Sequence, residues 1–182
     1  MLEKIDIPGS PPNEDAQAAQ AAQAANPKYT DDQCLWMKEA LTEARLAIEH
    51  GDTPVGAVIV MNGEIIGRGH NRREVDHDPS AHAEILALAQ AGKAIGDWRL
   101  NGAEMYVTME PCPMCAFALV LARLRLLVYS LDDPRMGACG SFINIAQFPG
   151  FNHGVSIRSG LYADESLALM QQFFAQQRHD HA

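Results

Sequence analysis

The sequence predicts a layered α/β fold built as one domain, and three observations carry that prediction. Segments of helical periodicity alternate with short β-branched runs, as they do when helices cover a sheet. Asn62-Gly63 stands between two apolar runs, a strong short-range signature of a β-hairpin. At 182 residues, 47% hydrophobic and 20% charged, the chain can bury one core and needs no second domain.

Residues 1–27, biased to Pro, Ala and Gln with few large apolar side chains, bury too little to offset their ordering entropy and are expected to form a flexible acidic extension. The folded domain is then 28–182. Thr30 is a predicted N-cap, followed by Asp31 and Asp32 and by apolar residues at helical spacing from Leu35 to Ile48, with Gly51 as the stop. "VGAVIVM" and "EIIGRGH" form the hairpin over about 55–70. A polar loop follows, with Ser80 as the expected cap of a helix through "AHAEILALAQAG" that ends at Gly92. "EMYVTM" is a strand, Pro111 is expected in the first turn of a helix through about Ala122, and "RLLVYS" is another strand. "DDPRMGACGS" has loop chemistry, "GVSIRSG" predicts a short last strand, and "DESLALMQQFFAQQR" predicts a closing amphipathic helix.

No apolar run approaches the roughly 20 residues of a membrane span, and the "MLEKIDIPGSPP" opening lacks the basic and apolar regions of a signal peptide. A soluble cytoplasmic protein without a membrane partner is expected. Cysteines 34, 112, 115 and 139 show no disulfide-framework spacing, which leaves thiolates for metal or catalysis. The net charge of −9 argues against a nucleic-acid partner, but its distribution softens the objection. Residues 54–182 carry ten bases, nine of them arginine, the side chain suited to forked phosphate contacts. Ordinary solvated surface accounts for those arginines equally well.

Cys112 and Cys115 admit three readings: a redox pair, half of a closed structural zinc site, or part of a catalytic one. A closed tetrahedral site needs four protein ligands, and Cys34 and Cys139 lack the spacing of a second pair. The flanking residues are not those of a thioredoxin-like pair, and the proline precedes the cysteines rather than lying between them. Upstream stands His82-Ala83-Glu84, and His-x-Glu followed by Pro-Cys-x-x-Cys is the pattern of the zinc nucleobase deaminases. One imidazole and two thiolates balance the charge of Zn2+ and leave a fourth position for water, whose pKa the metal lowers. Glu84 is left outside the ligand set, within reach as a proton carrier. Taken singly, His82 would be an ordinary surface or core histidine, and Glu84 a helix-dipole acid.

From about Thr30 to Gln177 the chain resembles the bacterial tRNA-specific adenosine deaminases. "PVGAVIV", "HNR", "DPSAHAEILAL", "MYVTMEPCPMC", "GACGS" and "FPGFNHGVSI" carry the resemblance in that order. It implies a cytidine-deaminase-like, three-layer α/β/α fold with a central mixed five-stranded sheet, commonly as a homodimer. It implies one Zn2+ per subunit on His82, Cys112 and Cys115, with Glu84 as the acid/base. The implied reaction is hydrolytic conversion of adenosine to inosine at wobble position 34 of a tRNA anticodon stem-loop, hydroxide on the metal attacking C6.

By the same resemblance Asn71 would contact the base edge, and Val55 and Ala81 would wall the pocket. Asp133 would face the RNA and accept from a ribose 2′-OH, while Asn152 and His153 would stand at the substrate mouth. Plainer roles compete: a turn asparagine, strand core, a turn former before Pro134, a loop histidine. Arg72, Arg73, Arg135 and Arg158 are the expected phosphate contacts. The C-terminal "QQFFAQQRHDHA" lacks the basic run of many family members, and the acidic 1–27 segment is additional.

Two other functions fit the motif. One is a free-base or nucleoside deaminase, such as a guanine or cytosine deaminase, which the acidic charge favours and the tRNA-type segments at 78–88 and 137–157 oppose. The other is a non-catalytic zinc-bearing partner subunit, which could dispense with Glu84. A riboflavin-pathway deaminase would space its cysteines farther apart than Cys112 and Cys115.

Overall fold

The computed structural model describes residues 28–180; the predicted extension at 1–27 lies outside them. The elements in order are α1 (Asp31–Glu49), β1 (Gly56–Met61), β2 (Glu64–His70), α2 (Arg73–Asp76), α3 (Ala83–Ile95), β3 (Glu104–Met109), α4 (Pro113–Leu121), β4 (Leu126–Leu131), β5 (Ser156–Ser159) and α5 (Ala163–Asp180). The strands form one mixed sheet in the order β2-β1-β3-β4-β5. β1 pairs antiparallel with both β2 and β3, whereas β3, β4 and β5 run parallel. The expected three-layer α/β/α arrangement with a five-stranded sheet is therefore present. Among the described residues no helix is long and apolar enough to cross a membrane.

Strand alternation divides the core between the two faces. Ala57, Ile59, Met105, Val107 and Leu127 pack with α3 and α4, while Val58, Val60, Tyr106 and Val128 pack with α1. Asn62 and Gly63 both take positive φ, 53° and 80°, as the tight hairpin turn requires. Thr30 caps α1 as expected, accepting from Gln33 N at 3.2 Å while Gln33 Oε1 accepts from Thr30 N. Such a capping box is worth about 1 kcal/mol. α3 lies almost on the backbone of β2: a Cβ at Gly67 or Gly69 would stand 2.3 Å from the carbonyl oxygen of Ala87 or Ala83. Those two glycines let the helix that carries His82 and Glu84 sit close over the sheet.

Three boundaries differ from expectation. α4 starts at Pro113, with Cys112 as its N-cap in extended conformation, because the second proline of "PCP" takes the first helical position. α3 is capped by His82 instead of Ser80, whose amide and hydroxyl both bind Asp78 Oδ1 in the preceding turn. The same helix runs through Gly92 to Ile95 and stops at Gly96, which takes the left-handed conformation at φ 72°. An interior glycine costs a helix only about 1 kcal/mol, so Gly92 is tolerated. The loop after β2 also contains the one-turn helix α2.

Candidate functional site

Two helix N-termini meet at the carboxyl end of β3. His82 caps α3 and Cys112 caps α4, so the positive ends of both helix dipoles point at one spot. Carboxyl ends of parallel strands are where α/β folds place their sites. His82 Nδ1 lies 3.8 Å from Cys112 Sγ and 3.6 Å from Cys115 Sγ, and the three ligand atoms are mutually within 4.8 Å. A zinc tetrahedron with ordinary Zn–S and Zn–N bonds has edges of about 3.6 Å, so the triangle fits that ion. Cys139 is buried nearby but does not belong to the triangle, so the candidate protein ligands among the described residues are three.

The electrostatics suit a cation. A hydrogen bond from Cys115, then the contact with His82, holds the Cys112 thiol down to about 4. Cys115 is pushed up by that same bond and by burial. A metal would displace the proton the two sulfurs share, since cysteine binds metals as thiolate. His82 is raised, chiefly by the bond to Cys112. Glu84 is only 3% exposed, and burial raises its carboxyl above the usual range. It interacts with Cys115 yet stands outside the triangle, so it is free to carry protons.

Backbone hydrogen bonds gather the predicted pocket residues around these groups. Asn71 N donates to Val55 O at 3.0 Å, Arg72 N donates to Ala81 O at 3.0 Å, and Asn71 Oδ1 accepts from Ala83 N at 3.1 Å. Val55, Asn71 and Ala81 are thus brought together beside His82 and Glu84, all buried or nearly so. Asp133 lies in the loop after β4, where its Oδ1 accepts from Arg135 N and Met136 N. That oxygen shapes the turn.

Other predicted residues are not brought in. His153 Nε2 lies 2.7 Å from Leu124 O, and Asn152 O accepts from Arg123 Nη1. Both contacts lie past the C-terminus of α4, about 14 Å along the helix from Cys112. Arg158 reaches across β5 to Gln33 at the start of α1, on the sheet face opposite α3 and α4. Of the remaining arginines, Arg72 is forked onto Asp76 at 3.0 and 2.8 Å, and Arg73 is held by Thr53 and by the buried Asp52. Arg135 is exposed and makes no ion pair among the described residues.

Sequence reasoning assigned no role to Glu110, although it stands inside the quoted "MEPC". The structure buries it to 4% exposure, and its carboxylate accepts from the amides of Asp133, Cys139 and Ser141. An acid closing a strand directly before the Pro-Cys turn was the available signal.

Comparison with known proteins agrees with this geometry. The family model of MafB19-like deaminases matches residues 31–178. A tRNA-specific adenosine deaminase of Bacillus subtilis is 48% identical over 144 residues, 79% of this chain and 89% of that protein. A solved structure from work on A-to-I editing by tRNA:A34 deaminases at the wobble position superposes with a TM-score of 0.71 at 43% identity, covering 74% of this chain and 97% of that one. A guanine deaminase structure from Bacillus subtilis is 38% identical but covers 54% of this chain and 63% of its own, with a TM-score of 0.52. The likeness to the tRNA enzymes thus spans nearly their whole length, and the chain belongs to the tRNA-specific adenosine deaminases.

Proposed function

We propose that this chain hydrolyses adenosine to inosine, releasing ammonia, at wobble position 34 of a tRNA anticodon stem-loop. The observation that carries the reading is a buried glutamate, Glu84, beside a three-ligand triangle whose spacing suits zinc and leaves one position open. Residues 28–182 form the deaminase domain in a cytoplasmic enzyme holding one zinc per subunit. When bound, the metal supplies a Lewis acid that makes water a nucleophile near neutral pH.

The chain's own groups account for the proton movements. Burial raises the Glu84 carboxyl above the usual carboxylate range, which favours its protonated form and suits a group that must donate as well as accept. It takes a proton from the attacking water and gives it to the ring nitrogen next to C6. It then passes the remaining proton of that oxygen to the 6-amino group, which leaves as ammonia as the C6–N bond breaks and the C6 carbonyl forms. Asn71 presents its amide to the base edge from the pocket wall formed with Val55 and Ala81, all three of them buried. Arg135, and Arg72 and Arg73 where they can exchange partners, supply phosphate contacts.

A homodimer is part of the proposal. Met114, Phe117 and Leu121 are exposed on α4, next to exposed Trp98, Phe148 and Phe151. Rings 117 and 151 lie 5.2 Å apart, and 148 and 151 lie 5.0 Å apart. A contiguous apolar face of this kind marks an interaction surface.

The test incubates zinc-loaded protein with an anticodon stem-loop bearing A at the wobble position and, separately, with guanine, cytosine and adenosine, reading products by mass. Inosine in the stem-loop, reduced at least about a hundredfold by Glu84→Ala, supports the proposal. Turnover of a free base with the stem-loop untouched overturns it in favour of a free-base deaminase.

A further inference from the structure

We propose that Glu110 is a positioning residue for the RNA: its buried carboxylate hangs the 133–141 loop beside the metal triangle and thereby sets substrate grip rather than base chemistry. This rests on the function proposed above. Glu110 follows β3 and precedes the Pro111-Cys112 turn. Its Oε2 accepts from Asp133 N at 2.9 Å, and its Oε1 accepts from Cys139 N at 2.9 Å and Ser141 N at 3.1 Å. All three donors are backbone amides, from 23 to 31 residues downstream. The carboxylate therefore does for this loop what a neighbouring strand would do for an edge.

The fit is tight from the loop side as well. A Cβ at Gly137 would stand 2.2 Å from Glu110 Oε2, so the loop backbone rests directly on the carboxylate. A second tether runs from Ala138 N to Pro111 O at 2.9 Å. Gly137 N also bonds Asp133 O, and Ile143 N bonds Gly137 O, which closes the loop on itself. It is thus a folded unit fixed to the two residues ahead of Cys112.

That unit carries side chains suited to contact a large substrate. Arg135 is exposed without an ion pair among the described residues, and Met136 and Phe142 are 56% and 63% exposed. The exposed arginine offers a phosphate contact, and Phe142, just past the loop, offers an aromatic surface for a base. An acid this close to RNA would repel phosphate if exposed; buried and saturated by amides, Glu110 orients the loop while staying hidden from the backbone of the RNA. It lies outside the ligand triangle.

The experiment compares zinc-loaded wild-type full chain with Glu110→Gln, Glu110→Asp and Gly137→Ala. It measures steady-state kinetics on the wobble-A stem-loop, zinc content, and amide hydrogen exchange without substrate. Glu110→Gln sets an NH2 against a backbone N–H, so KM rises at least about tenfold while kcat stays within about threefold and zinc is retained. Exchange accelerates at Asp133, Cys139 and Ser141. Glu110→Asp, which keeps the carboxylate on a shorter arm, recovers part of the KM. Gly137→Ala, which presses on the carboxylate from the loop side, reproduces the KM effect if Glu110→Gln fails to fold. Loss of kcat or of zinc at unchanged KM overturns the proposal, as does unaltered exchange in the loop. A wild-type chain inactive on the stem-loop refutes the function instead, and the exchange data still report whether Glu110 holds the loop.

Discussion

Asn71 Oδ1 accepts a hydrogen bond from the amide of Ala83, the first residue of α3, at 3.1 Å across 12 residues of sequence. The N-cap itself, His82, makes no capping bond with its side chain, which faces the two cysteines. The cap of the helix bearing His82 and Glu84 is therefore supplied from the loop after β2. The Asn71 oxygen secures the helix, and its NH2 is the part that the proposed base contact would use.

These two uses of Asn71 are separable. Asn71→Ala removes both and is expected to lower unfolding free energy by about 1 kcal/mol, the worth of a cap, and kcat/KM by a larger factor. Asn71→Asp keeps an acceptor for Ala83 N but has no NH2. Denaturant unfolding should show stability recovered while turnover stays low. Recovery of both would mean that the cap is the whole role of Asn71.

The closeness of α3 to β2 predicts a second effect. A methyl at Gly69 would meet the Ala83 carbonyl oxygen at 2.3 Å, and the obstacle is backbone, which cannot rotate away. Gly69→Ala should shift the start of α3, cost about 1–3 kcal/mol, and weaken zinc binding through His82. Competition against a chromophoric chelator reads the affinity directly; an unchanged value would show that the helix start moves without its ligand.

What the sequence disclosed depended on distance along the chain. His82 with Glu84, and Cys112 with Cys115, are local patterns, so the triangle that could hold a metal was readable, and period-two runs marked the strands beneath it. Glu110 was not readable as an anchor because its three partners are backbone amides, which leave no signature in residue identity. Asn152, His153 and Arg158 show the converse: their types suit RNA, but only the fold reveals that they bond Arg123, Leu124 and Gln33. The start of α4 was misplaced by two residues because either proline of "PCP" could take the first turn.

Metal removal should separate folding from catalysis. The described core spans both faces of the sheet without using the triangle, so a chelated protein is expected to stay folded with a lower melting temperature and no turnover. Zn2+ restores both, with one equivalent per chain by metal analysis. Cys115→Ser should show the low melting temperature from the outset and gain little from added zinc. A chain that unfolds completely in chelator would make the site structural as well as catalytic.

The arginines make unequal predictions even though sequence grouped them. Arg135 is exposed and makes no ion pair among the described residues, on the loop beside the metal triangle, whereas Arg158 touches Gln33 on the opposite face of the sheet. Each phosphate neutralised contributes roughly one unit to the slope of log K against log salt, somewhat less for a single strand. Arg135→Ala should therefore weaken stem-loop binding and lower that slope by about 0.7–0.9, measured by fluorescence anisotropy from low to moderate salt. Arg158→Ala should leave both unchanged within one protomer's footprint. If Arg158→Ala lowers the slope instead, the RNA reaches the α1 face of the sheet, and the path of its backbone differs from the one drawn through Arg135.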